Sequence, residues 1–121
     1  MILVDSSVWI DHFRAADDAL NRVLLQGAVV QHRFVTAEVA LGSIANRAQI
    51  VARLSALPQV EPVDEDRLLD FIRDSELAGC GIGLVDAHLL MACDLQHHQL
   101  WTRDKRLQAQ AERLGWSYRH A

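Results

Sequence analysis

The sequence predicts an α/β chain built on a parallel sheet with helices over both faces. Three observations carry this. Short apolar runs recur along the chain, continuous rather than alternating, as in strands buried on both sides. Longer stretches with apolar residues at helical spacing separate them. Strands alternating with helices at these lengths call for parallel pairing, because each crossover helix returns the chain to the same end of the sheet.

Ile2–Val4 reads as the first strand, and Ser6 and Ser7 supply caps for a helix carrying Trp9, Ile10 and Phe13. Trp9 is assigned to the core. A second helix holds Leu20, Val23 and Leu24 and stops at Gly27, and residues 28–31 form the second strand. From Ala37, the positions Ala37, Ala40, Leu41 and Ile44 recur at helical spacing; after a break near Asn46, Ile50, Val51, Leu54 and Leu57 continue the pattern. Residues 60–63 read as a third strand. Asp64, Glu65 and Asp66 then give a negative first turn to a helix carrying Leu68, Phe71 and Ile72. Gly79, Gly81 and Gly83 form a flexible loop before the most apolar helix, from Val85 to about Leu95. Residues 100–102 are a fourth strand, Asp104 opens a helix through Leu107, Ala111 and Leu114, and residues 117–119 add a last edge strand.

At 121 residues, with 50% hydrophobic and 23% charged side chains, the chain has the composition of a folded globular domain and not of a disordered one. No repeat, low-complexity tract or linker divides it, so residues 1–121 are expected to form a single domain. No apolar run reaches the roughly 18 residues that a membrane span needs. The opening apolar run meets Asp5 too soon for a signal peptide, with no basic residue before it, which points to the cytoplasm. Cys80 and Cys93 show no metal-ligand spacing and are expected to stay reduced. The net charge of −4 argues against simple electrostatic capture of nucleic acid. A bound divalent cation would reverse that sign locally.

Four acids stand where predicted elements meet: Asp5, Glu38, Asp86 and Asp104. Each has a plain alternative role. Asp5 and Asp104 are good helix caps, Glu38 in a first turn gains from the helix dipole, and a buried cap also accounts for Asp86. Together they exceed what capping needs. Asp86 in particular opens a helix that is apolar almost all round, where a carboxylate must be paired, protonated or metal-bound. An all-oxygen ligand set without cysteine or histidine suits Mg²⁺ or Mn²⁺ better than zinc. Such ions activate water and neutralise charge at a phosphodiester.

At these residues the chain resembles the PIN-domain nucleases, and within them the VapC-type toxins of bacterial toxin–antitoxin pairs. The resemblance lies in Val4-Asp5-Ser6-Ser7-Val8-Trp9-Ile10-Asp11, in Thr36-Ala37-Glu38-Val39, in Gly83-Leu84-Val85-Asp86-Ala87-His88-Leu89-Leu90 and in Leu100-Trp101-Thr102-Arg103-Asp104. It implies a three-layer α/β/α PIN-like domain with a parallel sheet of about five strands. It also implies a Mg²⁺- or Mn²⁺-dependent endoribonuclease. Asp5, Glu38, Asp86 and Asp104 would be the catalytic, metal-holding acids, and Thr102 a hydroxyl that orients one of them. A cognate antitoxin that blocks the pocket and a homodimer are further implications. The loop of residues 78–83 departs from the resemblance, being richer in glycine and poorer in basic residues than expected, which bears on how it grips substrate.

Arg103, Lys105 and Arg106 flank Asp104 and are candidates for RNA phosphate contacts, with a solvated helix start as the plain alternative. His12, His32, His88, His97, His98 and His120 lack ligand spacing and are assigned to packing or solvent. A catalytically silent PIN-like module that binds RNA or protein is the competing class, against which the full set of acids weighs. A phosphoaspartate enzyme fits poorly, because Ser7 stands two residues after Asp5 where an acid is needed. A receiver domain fits poorly too, because the sole lysine, Lys105, directly follows Asp104.

Overall fold

The computed structural model describes residues 1–119; His120, set aside above as a ligand, lies outside them. The elements run β1 (Ile2–Val4), α1 (Ser6–Arg14), α2 (Asp18–Leu25), β2 (Val29–Val30), α3 (Arg33–Leu41), α4 (Arg47–Ala56), α5 (Asp66–Asp74), α6 (Leu84–Gln96), β3 (Gln99–Trp101) and α7 (Lys105–Leu114). The sheet is parallel, in the order β2-β1-β3. Its register pairs Leu3 with Val30 on one side and with Leu100 on the other. Every residue of β1 is buried. Since successive strand side chains point to opposite faces, both faces of the sheet are covered. Helices α1, α3 and α4 pack together as one group and α5 with α6 as another.

Among the described residues the sheet has three strands, not about five. The two outer strands expected at 60–63 and 117–119 shrink to single parallel bridges, Gln31 with Gln59 and Leu100 with Ser117. Around Gln59 the ladder consists of Gln31 N–H to the Pro58 carbonyl (2.7 Å) and Val60 N–H to the Gln31 carbonyl (2.9 Å). Pro62, without an N–H, cannot extend it.

The helix expected from Ala37 begins at Arg33, so Glu38 sits in mid-helix and not in a first turn. The cause is the residue before it: His32 Nδ1 accepts the Phe34 amide proton at 3.0 Å and caps the helix, a role usually held by Ser, Thr, Asp or Asn. Asp5, not Ser6 or Ser7, occupies the cap position of α1, and its carboxylate makes no capping bond. The break near Asn46 is a left-handed residue (φ 57°) just before α4.

Cys93 is fully buried, and burial pushes its thiol up to about 12, so it behaves as a small hydrophobe. Trp9 is buried and donates its indole N–H to Gln31 Oε1 at 3.2 Å. Gln31, itself 0% exposed, donates to Thr36 Oγ1 at 2.9 Å. One amide thus links α1, the end of β2 and α3 with its polar groups satisfied, as burial requires. Among the described residues no helix is long and apolar enough to cross a membrane.

Candidate acidic site

β1 is the central strand, with neighbours on both sides, so the crevice beyond its carboxyl end is where a doubly wound sheet places a ligand. Asp5 is the first residue past that end and is 5% exposed. Its Oδ2 accepts two hydroxyl protons, from Ser7 and from Thr102, each at 2.7 Å. Both hydroxyls are held in turn by backbone amides of the loop after β3. Arg103 N–H donates to Ser7 Oγ at 3.0 Å, and Asp104 N–H to Thr102 Oγ1 at 3.1 Å. Asp5 Oδ1 accepts no hydrogen bond among the described residues.

The other acids differ in depth and in what holds them. Glu38 is half-buried on α3 and hydrogen-bonded by the Ser6 side chain. Asp86, half-buried in the first turn of α6, accepts the Gly83 amide proton at 3.2 Å. Asp104 is exposed and caps α7, accepting the Leu107 N–H at 3.0 Å. The capping role therefore holds for Asp104 and fails for Asp5.

The four are coupled through their fields. Burial raises the Glu38 carboxyl above its ordinary value, and the charges of Asp5 and Asp86 raise it further. Burial likewise raises Asp86, with Asp5 and Asp104 adding to it. No lysine, arginine or histidine forms an ion pair with any of the four among the described residues. An uncompensated all-carboxylate set of this kind fits a hard divalent cation. As they stand, the carboxylates are apart: no three His, Cys, Asp or Glu side chains among the described residues are gathered closely enough to hold an ion.

The three basic residues beside Asp104 separate sharply. Arg103 forms ion pairs with Asp11 (2.6 Å) and Asp17 (2.5 Å), so its guanidinium ties the β3–α7 loop to α1 and to the start of α2. Lys105 and Arg106 make no hydrogen bond or ion pair among the described residues. Arg106 lies against the glycine loop: a Cβ on Gly81 would come within 3.0 Å of its Nη1 and 3.1 Å of its Cδ. Gly81 also has φ +78°, a conformation that side chains disfavour. A basic side chain from α7 is thus seated against a loop that has few of its own.

Sequence reasoning missed Ser7 and Gln31. Ser7 was legible in part, since a hydroxyl two residues after an acid reaches back to it readily. Gln31 carried no such signal, because its partners come from two separate helices.

No protein-family model matches the chain. Over 116 residues it is 44% identical to the protein named Ribonuclease VapC32 in Mycobacterium tuberculosis (strain CDC 1551 / Oshkosh), an overlap of 95% of this chain and 94% of that protein. The same figures hold for Ribonuclease VapC32 of the strain ATCC 25618 / H37Rv.

Proposed function

The chain belongs to the VapC-type ribonucleases of the PIN-domain family, and from that premise we propose that it is an endoribonuclease toxin that cuts RNA phosphodiesters at the acidic crevice. The observation that carries this is the coupling of Asp5, Glu38, Asp86 and Asp104 at the carboxyl end of a parallel sheet with no cation paired to them. Those four would hold Mg²⁺ or Mn²⁺, which when bound supplies Lewis-acid activation of water and neutralises charge at phosphorus.

The chain's own residues do the positioning. Ser7 and Thr102 hold Asp5 through its Oδ2 and leave the other oxygen without a protein donor, available to a cation. Ser6 and Gln31 set α3, and hence Glu38, against α1. Arg106, seated on Gly81 with its donors unspent, would hold an RNA phosphate. Arg103 contributes through structure, since a phosphate would have to displace Asp11 and Asp17. Neutralisation by a cognate antitoxin, homodimerisation and a cytoplasmic setting belong to the same proposal, supported by the family alone.

The deciding experiment maps new RNA 5′ ends after brief induction of the wild type and of Asp5→Asn. Ends at a few discrete sites in the wild type only are expected. Identical maps from two soluble, abundant proteins would move the reading to a silent module that binds RNA or protein.

Replacing Arg106 separates grip from chemistry. Arg106→Ala is expected to raise KM about fivefold and to lower the salt slope of RNA binding by about one, as loss of one phosphate contact does. Arg103→Ala should instead lower the melting temperature. If the salt slope responds to Arg103 and not to Arg106, the assignment of the two arginines is reversed.

A further inference from the structure

Between the start of α3, the segment 59–65 and the second turn of α6 lies a cavity of about 280 Å³. That is just under the roughly 300–1,000 Å³ of drug-sized pockets, room for one planar ring system. Its aromatic walls are Phe34 and His88, whose rings meet edge to face with centroids 4.9 Å apart at 89°. Phe34 is half-buried yet is not among the hydrophobics packed on the core. Its ring touches His32 (centroids 4.9 Å apart) and lies under the Arg33 guanidinium at 5.8 Å. A phenylalanine held this way is spare to the core and available to a ligand.

His32 gives the cavity a polar anchor. It lines the cavity and is only 8% exposed. Its Nδ1 accepts the Phe34 amide proton, so the ring proton sits on Nε2, which has no partner among the described residues. Burial, with the charges of His88 and Arg33 adding to it, lowers this imidazole to about 4, so at neutral pH it is an uncharged N–H donor. A donor with no protein acceptor, on a residue lining an aromatic-walled space and still reached by solvent, offers a ligand one hydrogen bond.

Phe34 stands one turn before Glu38 on the same side of α3, so the α3 wall of the cavity continues toward one of the four acids. Glu61 and Glu65 stand at the rim, exposed, and repel phosphate while accepting N–H groups. A flat, neutral ring carrying both acceptors and N–H donors satisfies every one of these surfaces. Single-stranded RNA presents such rings for stacking on Phe or His.

We propose that this cavity receives one unpaired nucleobase of the RNA, with Phe34 and His88 as its walls and His32 Nε2–H as its donor. The proposal rests on the ribonuclease reading for its substrate, so its test reads binding separately from cutting. The Asp5→Asn protein is titrated with a fluorescent random-sequence single-stranded RNA 8-mer and with a fully abasic 8-mer of the same length. The intact oligomer is expected to bind roughly tenfold tighter, the scale of one stacked base. Adding Phe34→Ala should close that gap and Phe34→Tyr should restore it, while a merely structural role would weaken both oligomers alike. Equal binding of the two oligomers, or a gap that survives Phe34→Ala, overturns the pocket and leaves a protein side chain as the better occupant. Cleavage by the wild type is scored in parallel. A base-dependent gap without cutting would sink the nuclease and keep the pocket; cutting without a gap would do the reverse.

Discussion

Asp5→Asn is expected to lower RNA cleavage by roughly 10³-fold or more, the scale on which one preorganised charged group supports a reaction of this type. The fold should survive, because the asparagine oxygen still accepts from Ser7 and Thr102, which bond Asp5 Oδ2 at 2.7 Å. The metal-free protein should even gain a few degrees of melting temperature, since one of the charges that raise Glu38 and Asp86 is gone. Calorimetry beside a cleavage assay gives both numbers. Loss of activity together with loss of fold would mean that Asp5 is structural, and retained cutting would remove it from the mechanism. Thr102→Val tests the support behind it: losing the hydroxyl that orients the carboxylate is expected to cost about 10–100-fold in activity.

The second large effect concerns acid. His32 is buried neutral, with its value displaced from 6.5 to about 4, which is worth about 3 kcal/mol of pH-dependent stability. The unfolded chain binds this proton at the higher pH, so stability is intact above about 6.5 and is lost as pH falls through about 4. Protonation also fills Nδ1, so the acceptor for the Phe34 amide disappears and α3 loses its cap. Glu38 and Asp86 work the other way. Their raised values mean that the folded state holds more protons, so they cost stability as pH rises through their window. His32→Asn isolates the histidine, since it keeps a capping oxygen and cannot titrate. Unfolding between about pH 7 and 4 should show the wild type losing about 3 kcal/mol relative to this variant, on the order of 10 °C in melting temperature. Parallel curves would mean that His32 is not the buried group responsible.

What could be read from sequence depended on how far the information had to travel. Ile2–Val4 is continuously apolar and folds as the buried central strand, and the apolar helix expected from Val85 to about Leu95 is α6 at Leu84–Gln96. Asp5, Asp86 and Asp104 stand out because a carboxylate at an element junction is conspicuous without any structure, whereas Glu38 stands in mid-helix, away from the junction expected for it. The helix expected from Ala37 omits Phe34, Val35 and Thr36, whose aromatic and β-branched side chains are weak helix formers, whereas here the His32 cap and the Gln31–Thr36 bond commit them to the helix. The outer strands failed for a similar reason. Apolar side chains propose a strand, but partners and available N–H groups decide its length. Arg103 and Arg106 are indistinguishable as letters. Asp11 and Asp17, 92 and 86 residues away in sequence, claim one, and a glycine in a left-handed turn seats the other.

The hydrogen bond from Thr102 to Asp5 joins residues 97 positions apart. In a growing polypeptide the first is made long before the second, and at roughly 5–20 residues per second the delay is about 5–20 s. Until the far end emerges, β1 has no β3 to pair with, and the carboxylate lacks the hydroxyl that aims it. With the proposed site as the catalytic one, a ribosome translating this message is expected to carry an inert product for most of the elongation cycle, and a polypeptide abandoned before residue 102 is expected to stay inert. For a chain whose finished form attacks RNA, the order of synthesis is itself a safeguard for the machine that makes it.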